Sequence, residues 1–205
     1  MSSAGEKKPD FIAFDTMEGF GGSNHLGKLV LAIRNHRQVS FSHKSFSNDE
    51  TRQVVVQPYF LKEYQGRWYL GCKFEGGKKF YCYALDRIFD LEMTAETFVP
   101  KSPPDPNEFF SAVIGVSEPD GEAEKVLLSV THDQVKYFKT LPLHSSQKIV
   151  RENKTETVLS LKVIPNFELI HRILMHGPSV KVMEPSWLVE DVKALLTEAL
   201  AKYNS

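Results

Sequence analysis

Leu26, Leu29, Val30 and Ile33 repeat at the i, i+3, i+4, i+7 spacing of an amphipathic helix, which predicts a helix from about residue 26 to His36 with Ser23 or Asn24 as N-cap. From Val39 the period changes to two. Val39 and Phe41, then Val54 and Val56 leading into Pro58, then Trp68 and Leu70 flanking Tyr69, then Phe80 to Leu85 alternate or cluster β-branched and aromatic residues between turn residues at 48–50, 65–66 and 76–77. This pattern predicts four or five short antiparallel strands, and a meander this short closes most easily as a small barrel. The alternation puts Trp68 and Leu70 on one face, in the core, and Tyr69 on the other. The Gly76-Gly77 turn puts Cys72 close to Cys82 across a hairpin, directly opposite in one register, as two reduced core thiols.

Residues 99–123 contain Pro100, Pro103, Pro104, Pro106, Pro119 and an Asp-Gly-Glu turn, the composition of a connector. The apolar run Phe109 to Val116 inside it is expected to pack on a domain face. A grammar of strands and helices then follows: strands at Val126–Val130, Gln147–Val150, Val158–Val163 and Val180–Met183, and helices at His132–Lys139, after Asn166, and from about Trp187 to Tyr203. Asn166 caps the middle helix, which stops at His176-Gly177-Pro178. Two βαβ-like units with a closing helix suggest a ferredoxin-like sandwich. The expected class is α+β, with an arm at 1–25, a β-rich domain at 26–98, a connector at 99–123 and an α/β domain at 124–205. The arm carries Phe11, Ile12, Phe14, Met17 and Phe20 and is expected to pack on something.

Composition adds little until it is divided. Of 205 residues, 41% are hydrophobic and 25% charged, as in an ordinary soluble globular chain, and 25 basic against 26 acidic residues give a net charge of -1. By segment, residues 1–25 carry two basic and four acidic groups, 26–100 eleven and eight, and 101–205 twelve and fourteen. Within 26–91 the excess is five positive charges, so the β-rich segment is the basic one. Two cysteines make no disulfide framework and favour a reducing compartment. No apolar stretch reaches the ~18 residues of a membrane span and the N-terminus has no signal-peptide core, so the chain reads as cytoplasmic with no membrane partner.

The chemistry of an enzyme does not emerge. The histidines at 25, 36, 43, 132, 144, 171 and 176 include no HExxH or i, i+4 pair, and no nucleophile elbow, phosphate loop or dinucleotide fingerprint occurs. No catalytic residue, metal ligand or cofactor is expected. What remains is a basic β-segment with interleaved aromatics, including His43, Lys44, Arg52, Arg67, Trp68, Tyr69, Lys73, Lys78, Lys79, Tyr81, Tyr83 and Arg87. Small barrels bind oligonucleotides by pairing cations with phosphates and flat side chains with bases. In the alternative reading the lysines solvate a hairpin, the aromatics fill the core and Arg87 fastens the barrel by a salt bridge.

The residues Gly66 to Cys72 (GRWYLGC), preceded by Thr51 to Leu61 and followed by Tyr83 to Ile88 (YALDRI), resemble the WYL domain over about 26–98. Leu141 to Gln147 through Val180 to Leu188 resemble the C-terminal extension that follows such domains. The resemblance implies an Sm-like small barrel followed by a ferredoxin-like domain, the effector part of a bacterial transcription regulator. It implies that a winged helix-turn-helix normally precedes the pair. Twenty-five residues before the first helix cannot hold one, so the chain is expected to be a sensor half that reaches DNA only through a domain outside it. The family's ligand-facing set falls on His43, Arg52, Tyr81 and Arg87. His43 stands where tyrosine is common and Tyr81 where arginine is common, with Lys79 two along as a substitute cation and Tyr69 facing the same ligand. The ligand implied is a nucleotide, a single-stranded oligonucleotide or a similar anion, sensed by a homodimer. The alternative is a dimerisation and docking module with no ligand of its own.

Overall fold

In the computed structural model, which describes residues 22–46, 50–101 and 103–204, the first helix is α1 (Leu26–Arg34), burying Leu29 and Ala32. A single 3-10 turn, Ser23–His25, leads into it, so the N-cap position falls on His25 rather than on Ser23 or Asn24, and no side chain caps it. The His25 ring instead bonds the Ile88 carbonyl at 3.0 Å. Gly22 approaches Leu85 so closely, at φ 101°, that a Cβ would clash with it. The apolar arm residues Phe11 to Phe20 and the turn at 47–49 lie outside the described residues.

Five strands follow: β1 (Arg37–Lys44), β2 (Thr51–Tyr64), β3 (Arg67–Lys73), β4 (Tyr81–Ala84) and β5 (Ile88–Thr97). They form one sheet in the order β4-β3-β2-β1-β5, with antiparallel pairing at β1/β2, β1/β5 and β2/β3. Its apolar face carries Val39, Phe41, Val54, Val56, Leu70 and Cys72, packed with Leu29, Ala32, Leu85, Ile88 and Leu91. Trp68 packs partly buried against this cluster, on the side expected from its alternation with Leu70. Of the two free thiols, Cys72 is buried and Cys82 half-buried.

Two expectations from spacing change here. The run from Val54 does not end at Pro58 but continues to Tyr64, because β2 changes partners. Its residues 51–56 pair with β1, and 57–64 pair with β3, with a register shift between Pro58 and Phe60. A proline cannot donate to a ladder and sits in strands at edges or irregularities. The stretch Phe80 to Leu85 splits into β4 and a 3-10 turn, Leu85–Arg87. Asp86 and Arg87 therefore lie on that turn, and Asp86 pairs with Arg67 at 3.3 Å.

The connector contains a short helix, α2 (Pro106–Phe109), capped by Asp105. Beyond it come β6 (Glu124–Thr131), α3 (His132–Thr140), β7 (Lys148–Glu152), β8 (Glu156–Val163), α4 (Phe167–Leu174), β9 (Val180–Glu184) and α5 (Ser186–Ala201). The second sheet has the order β7-β8-β6-β9, antiparallel throughout. One of its faces, Val126, Leu128, Val130, Leu159, Leu161, Val163, Val180 and Val182, forms a core with residues of α3, α4 and α5. Asn166 caps α4 as predicted, accepting from the Leu169 amide at 2.9 Å, and its own amide donates to the Ile114 carbonyl at 2.8 Å. Ile114, from the apolar run of the connector, joins that core.

Of the described residues, 22–76 with 83–98 form one compact unit and 77–82 with 99–204 another. Among the described residues no helix is long and apolar enough to cross a membrane.

Candidate ligand site at the polar end of the first sheet

The face of the first sheet that builds the core ends in charge. On β1 the period of two puts Val39, Phe41 and His43 in one row, and on β2 their partners are Val56, Val54 and Arg52. The first two pairs are buried, at 8% exposure or less, whereas the third is polar. On its other side His43 pairs with Ile88 of β5, so Arg87 arrives one residue away at the end of its 3-10 turn. Buried Leu85 and Ile88 hold both ends of that turn in place.

Aromatic rings line this end. Tyr83 meets Phe41 edge-on at 5.3 Å and His43 edge-on at 4.8 Å, joining the apolar row to its polar terminus. The Arg87 guanidinium lies 4.9 Å from the centre of the Phe46 ring, and that ring is 71% exposed. Among the described residues Arg87 thus makes a cation–π contact, and the salt bridge of the alternative reading is not seen there.

Two of these groups are poorly satisfied. Nε2 of His43 and Nε of Arg87 are buried atoms with no hydrogen-bond partner, and so is Oδ1 of neighbouring Asp86. A buried polar atom left unpaired destabilises by about 1–3 kcal/mol, and three of them fall on His43, Asp86 and Arg87 at this end of the sheet. Burial, and then the positive charge of Arg87, push the His43 pKa below its ordinary value. The imidazole is therefore neutral at neutral pH and offers one donor and one acceptor.

The other expected site residues are placed differently. Arg52, exposed, donates to Glu50 from Nε at 3.1 Å and from a terminal nitrogen at 2.6 Å. Tyr81 is 41% exposed at the start of β4, within the segment 77–82 that groups with the second unit. Lys79 precedes β4, and its ammonium pairs with Glu118 at 3.0 Å, which raises its pKa. Tyr69 pairs with Lys62 on the face of β3 away from Leu70. The structure brings together His43, Arg52 and Arg87, and adds Tyr83 and Phe46. Tyr83 belongs to the basic aromatic segment but not to the expected ligand-facing set. Its signal is its place in the YALDRI motif, four residues before Arg87. Phe46 gives no periodic signal, because it lies past the end of β1. Among the described residues no three His, Cys, Asp or Glu side chains gather as metal ligands.

The family model for the WYL domain matches residues 24–93, and that for the WCX domain matches residues 122–200. No curated protein matches the chain in sequence. Among solved structures it is similar to proteasome accessory factor B/C (PafBC) of Arthrobacter aurescens, with 19% identity, 90% of this chain and 28% of that chain covered, and a TM-score of 0.36. It is also similar to a CRISPR Cas-related protein, with 18% identity, 87% and 51% covered, and a TM-score of 0.53. The chain spans about a quarter of the length of the first and about half of the second. The second likeness concerns the fold alone.

Proposed function

The chain belongs to the WYL-domain family, with a WCX domain following the WYL domain, and on that premise we propose that it is the ligand-sensing module of a bacterial transcription regulator. Acting in the cytoplasm, it binds a nucleotide, a single-stranded oligonucleotide or a similar anion at His43, Arg52 and Arg87. The observation that carries this reading is the pair of unpartnered nitrogens, Nε2 of His43 and Nε of Arg87, at the polar end of an otherwise apolar row. A phosphate suits them: the guanidinium supplies a planar fork and the imidazole an additional donor. Arg52, directly opposite His43, joins by exchanging Glu50 for the ligand. Phe46 covers Arg87 until a ligand displaces it.

The finer architecture belongs to the same proposal. The change of partners along β2 supports an Sm-like barrel for residues 26–98, because a strand shared by halves must bend. The succession β6-α3-β7-β8-α4-β9 in the order β7-β8-β6-β9 supports a ferredoxin-like sandwich for 124–205. A second reading, a dimerisation and docking piece, is favoured by α5, whose C-terminal half leaves Leu195, Leu196 and Leu200 exposed. A homodimer built there is compatible with either reading.

The test is fluorescence anisotropy with a labelled single-stranded oligonucleotide across a salt series. Wild type is expected to bind at about 50 mM salt, with affinity falling as salt rises because phosphate contacts release counterions. Arg52→Ala with Arg87→Ala is expected to abolish binding. Unchanged binding by that double variant, or none by wild type at low salt, overturns the ligand reading and leaves the docking one.

A further inference from the structure

The two faces of the second sheet differ: one builds the core, and the other is charged and polar around buried Val158. The core takes the residues of one parity, so the register fixes what stands on the face turned away from α3, α4 and α5. On β6 and β8, Lys125 is directly opposite Lys162. On β7, Lys148 pairs with Ser160 and Arg151 with Val158 of β8. On β9, Lys181 pairs with Ser129 of β6. All five cationic side chains are exposed.

Carboxylates are scarce on this face. Glu156 is there, but it accepts from the Ser129 hydroxyl at 2.6 Å and pairs with Arg151 at 3.1 Å, and those contacts lower its pKa. Glu184 stands level with Leu127 beyond a register shift. Among the described residues, none of the four lysines forms an ion pair. Residues 101–205 hold twelve basic and fourteen acidic groups, yet this face takes five of the former and two of the latter. Lys125 facing Lys162 is moreover a like-charge pair across a ladder, which destabilises a sheet in the absence of an anion.

We propose that this face is a second anion-binding surface, one that seats the phosphodiester backbone of duplex DNA without reading its sequence. Adjacent strands lie about 4.8 Å apart and alternate residues about 6.7 Å apart along a strand, so the cations spread over a broad face rather than converge on one small anion. Four of the five are lysines, point charges suited to phosphates and not to bidentate recognition of base edges. The face carries no aromatic side chain, and base stacking is what single-stranded sites rely on. The high charge density of a duplex matches such a surface best. This surface is independent of the site at His43, Arg52 and Arg87.

The experiment measures anisotropy of a labelled random-sequence duplex with the full chain in a salt series. Lys125→Ala, Lys148→Ala, Lys162→Ala and Lys181→Ala combined are expected to weaken binding at about 50 mM salt by tenfold or more. They should also flatten the log–log salt slope by about 3.6, at about 0.9 per lost contact. The milder Lys125→Gln with Lys162→Gln should flatten it by about 1.8. Replacing the four lysines by arginine should restore binding, and Arg52→Ala with Arg87→Ala should leave duplex binding unchanged. The proposal is overturned if wild type does not bind the duplex, or if the quadruple alanine variant, folded by circular dichroism, binds it like wild type. It is also overturned if loss follows Arg52 and Arg87 instead, or if polyglutamate or single-stranded DNA competes as well as duplex per charge.

Discussion

The two sheets of this chain dispose of their positive charge in opposite ways. In the first, cations end a row that is otherwise core: Val39, Phe41 and His43 share a face, and so do Val56, Val54 and Arg52. In the second, cations stand on one face, among Ser129, Ser160 and buried Val158, and the core cluster occupies the other. The first arrangement places charge at an apolar boundary, where burial lowers a histidine pKa and leaves polar atoms unpaired. The second leaves each lysine exposed to solvent. A charge at the end of a buried row can be specific for a small ligand, whereas charges spread on a wet face can only sum.

Replacement of Phe41 by alanine should break the first arrangement most severely. Phe41 is 1% exposed and props Tyr83, so its loss is expected to destabilise by about 3–5 kcal/mol in urea unfolding and to weaken oligonucleotide binding along with it. A stability change under about 1 kcal/mol would show that the polar end does not depend on the row beneath it.

A pH series sharpens the contrast at smaller amplitude. His43 has a folded pKa below the ordinary 6.5, so the unfolded chain takes up a proton first as pH falls. Its contribution to stability is fully present above about pH 6.5 and is lost as pH drops toward the folded value. His144 and His176, also lowered chiefly by burial, act with the same sign, so the measurement is the difference between wild type and His43→Gln. The variant should show a flatter fall in urea midpoint between about pH 7 and pH 5, and an unaltered fall would remove His43 from the account. An anion bound beside the ring favours its charged form, so oligonucleotide affinity should rise over the same descent in pH.

The smallest expected effect belongs to the second sheet. Lys125→Ala and Lys162→Ala, taken singly and together, should each leave stability within about 0.5 kcal/mol or raise it slightly, because a facing like-charge pair is relieved. A double-variant cycle with no coupling would show that solvent already screens the pair fully.

How far the sequence foretold this depends on period. Where alternation runs unbroken, as at Val39 to His43 and Val126 to Val130, the elements and their buried faces were legible, and so was the Asn166 cap. At Leu26 to Ile33 the helix was legible but its face was turned, since it buries Leu29 and Ala32 and leaves Val30 exposed. Legibility failed where neighbours in space are distant in sequence. Nothing local indicates that Asp86 pairs with Arg67 across two elements, that Phe46 covers Arg87, or that Lys79 finds Glu118. The charged face of the second sheet was hidden for a related reason. Lys125, Lys162 and Lys181 alternate with core residues on their own strands, and Lys148 lies on β7, which is exposed throughout, so only the register shows that the four share a side. The bare count of twelve basic and fourteen acidic residues conceals it altogether.

Pro58 looks in the sequence like the end of a strand, and in the fold it is where β2 leaves one partner for the next. A strand slid by two residues keeps every side chain on its proper side, so hydrophobicity alone does not forbid that error. What interrupts the regular ladder is the proline itself, which has no amide hydrogen to give, and the register shift between Pro58 and Phe60 falls there. The proline thus marks a seam between two alignments within one strand: the stretch before it is set against β1, with Arg52 across from His43, and the stretch that contains it is set against β3.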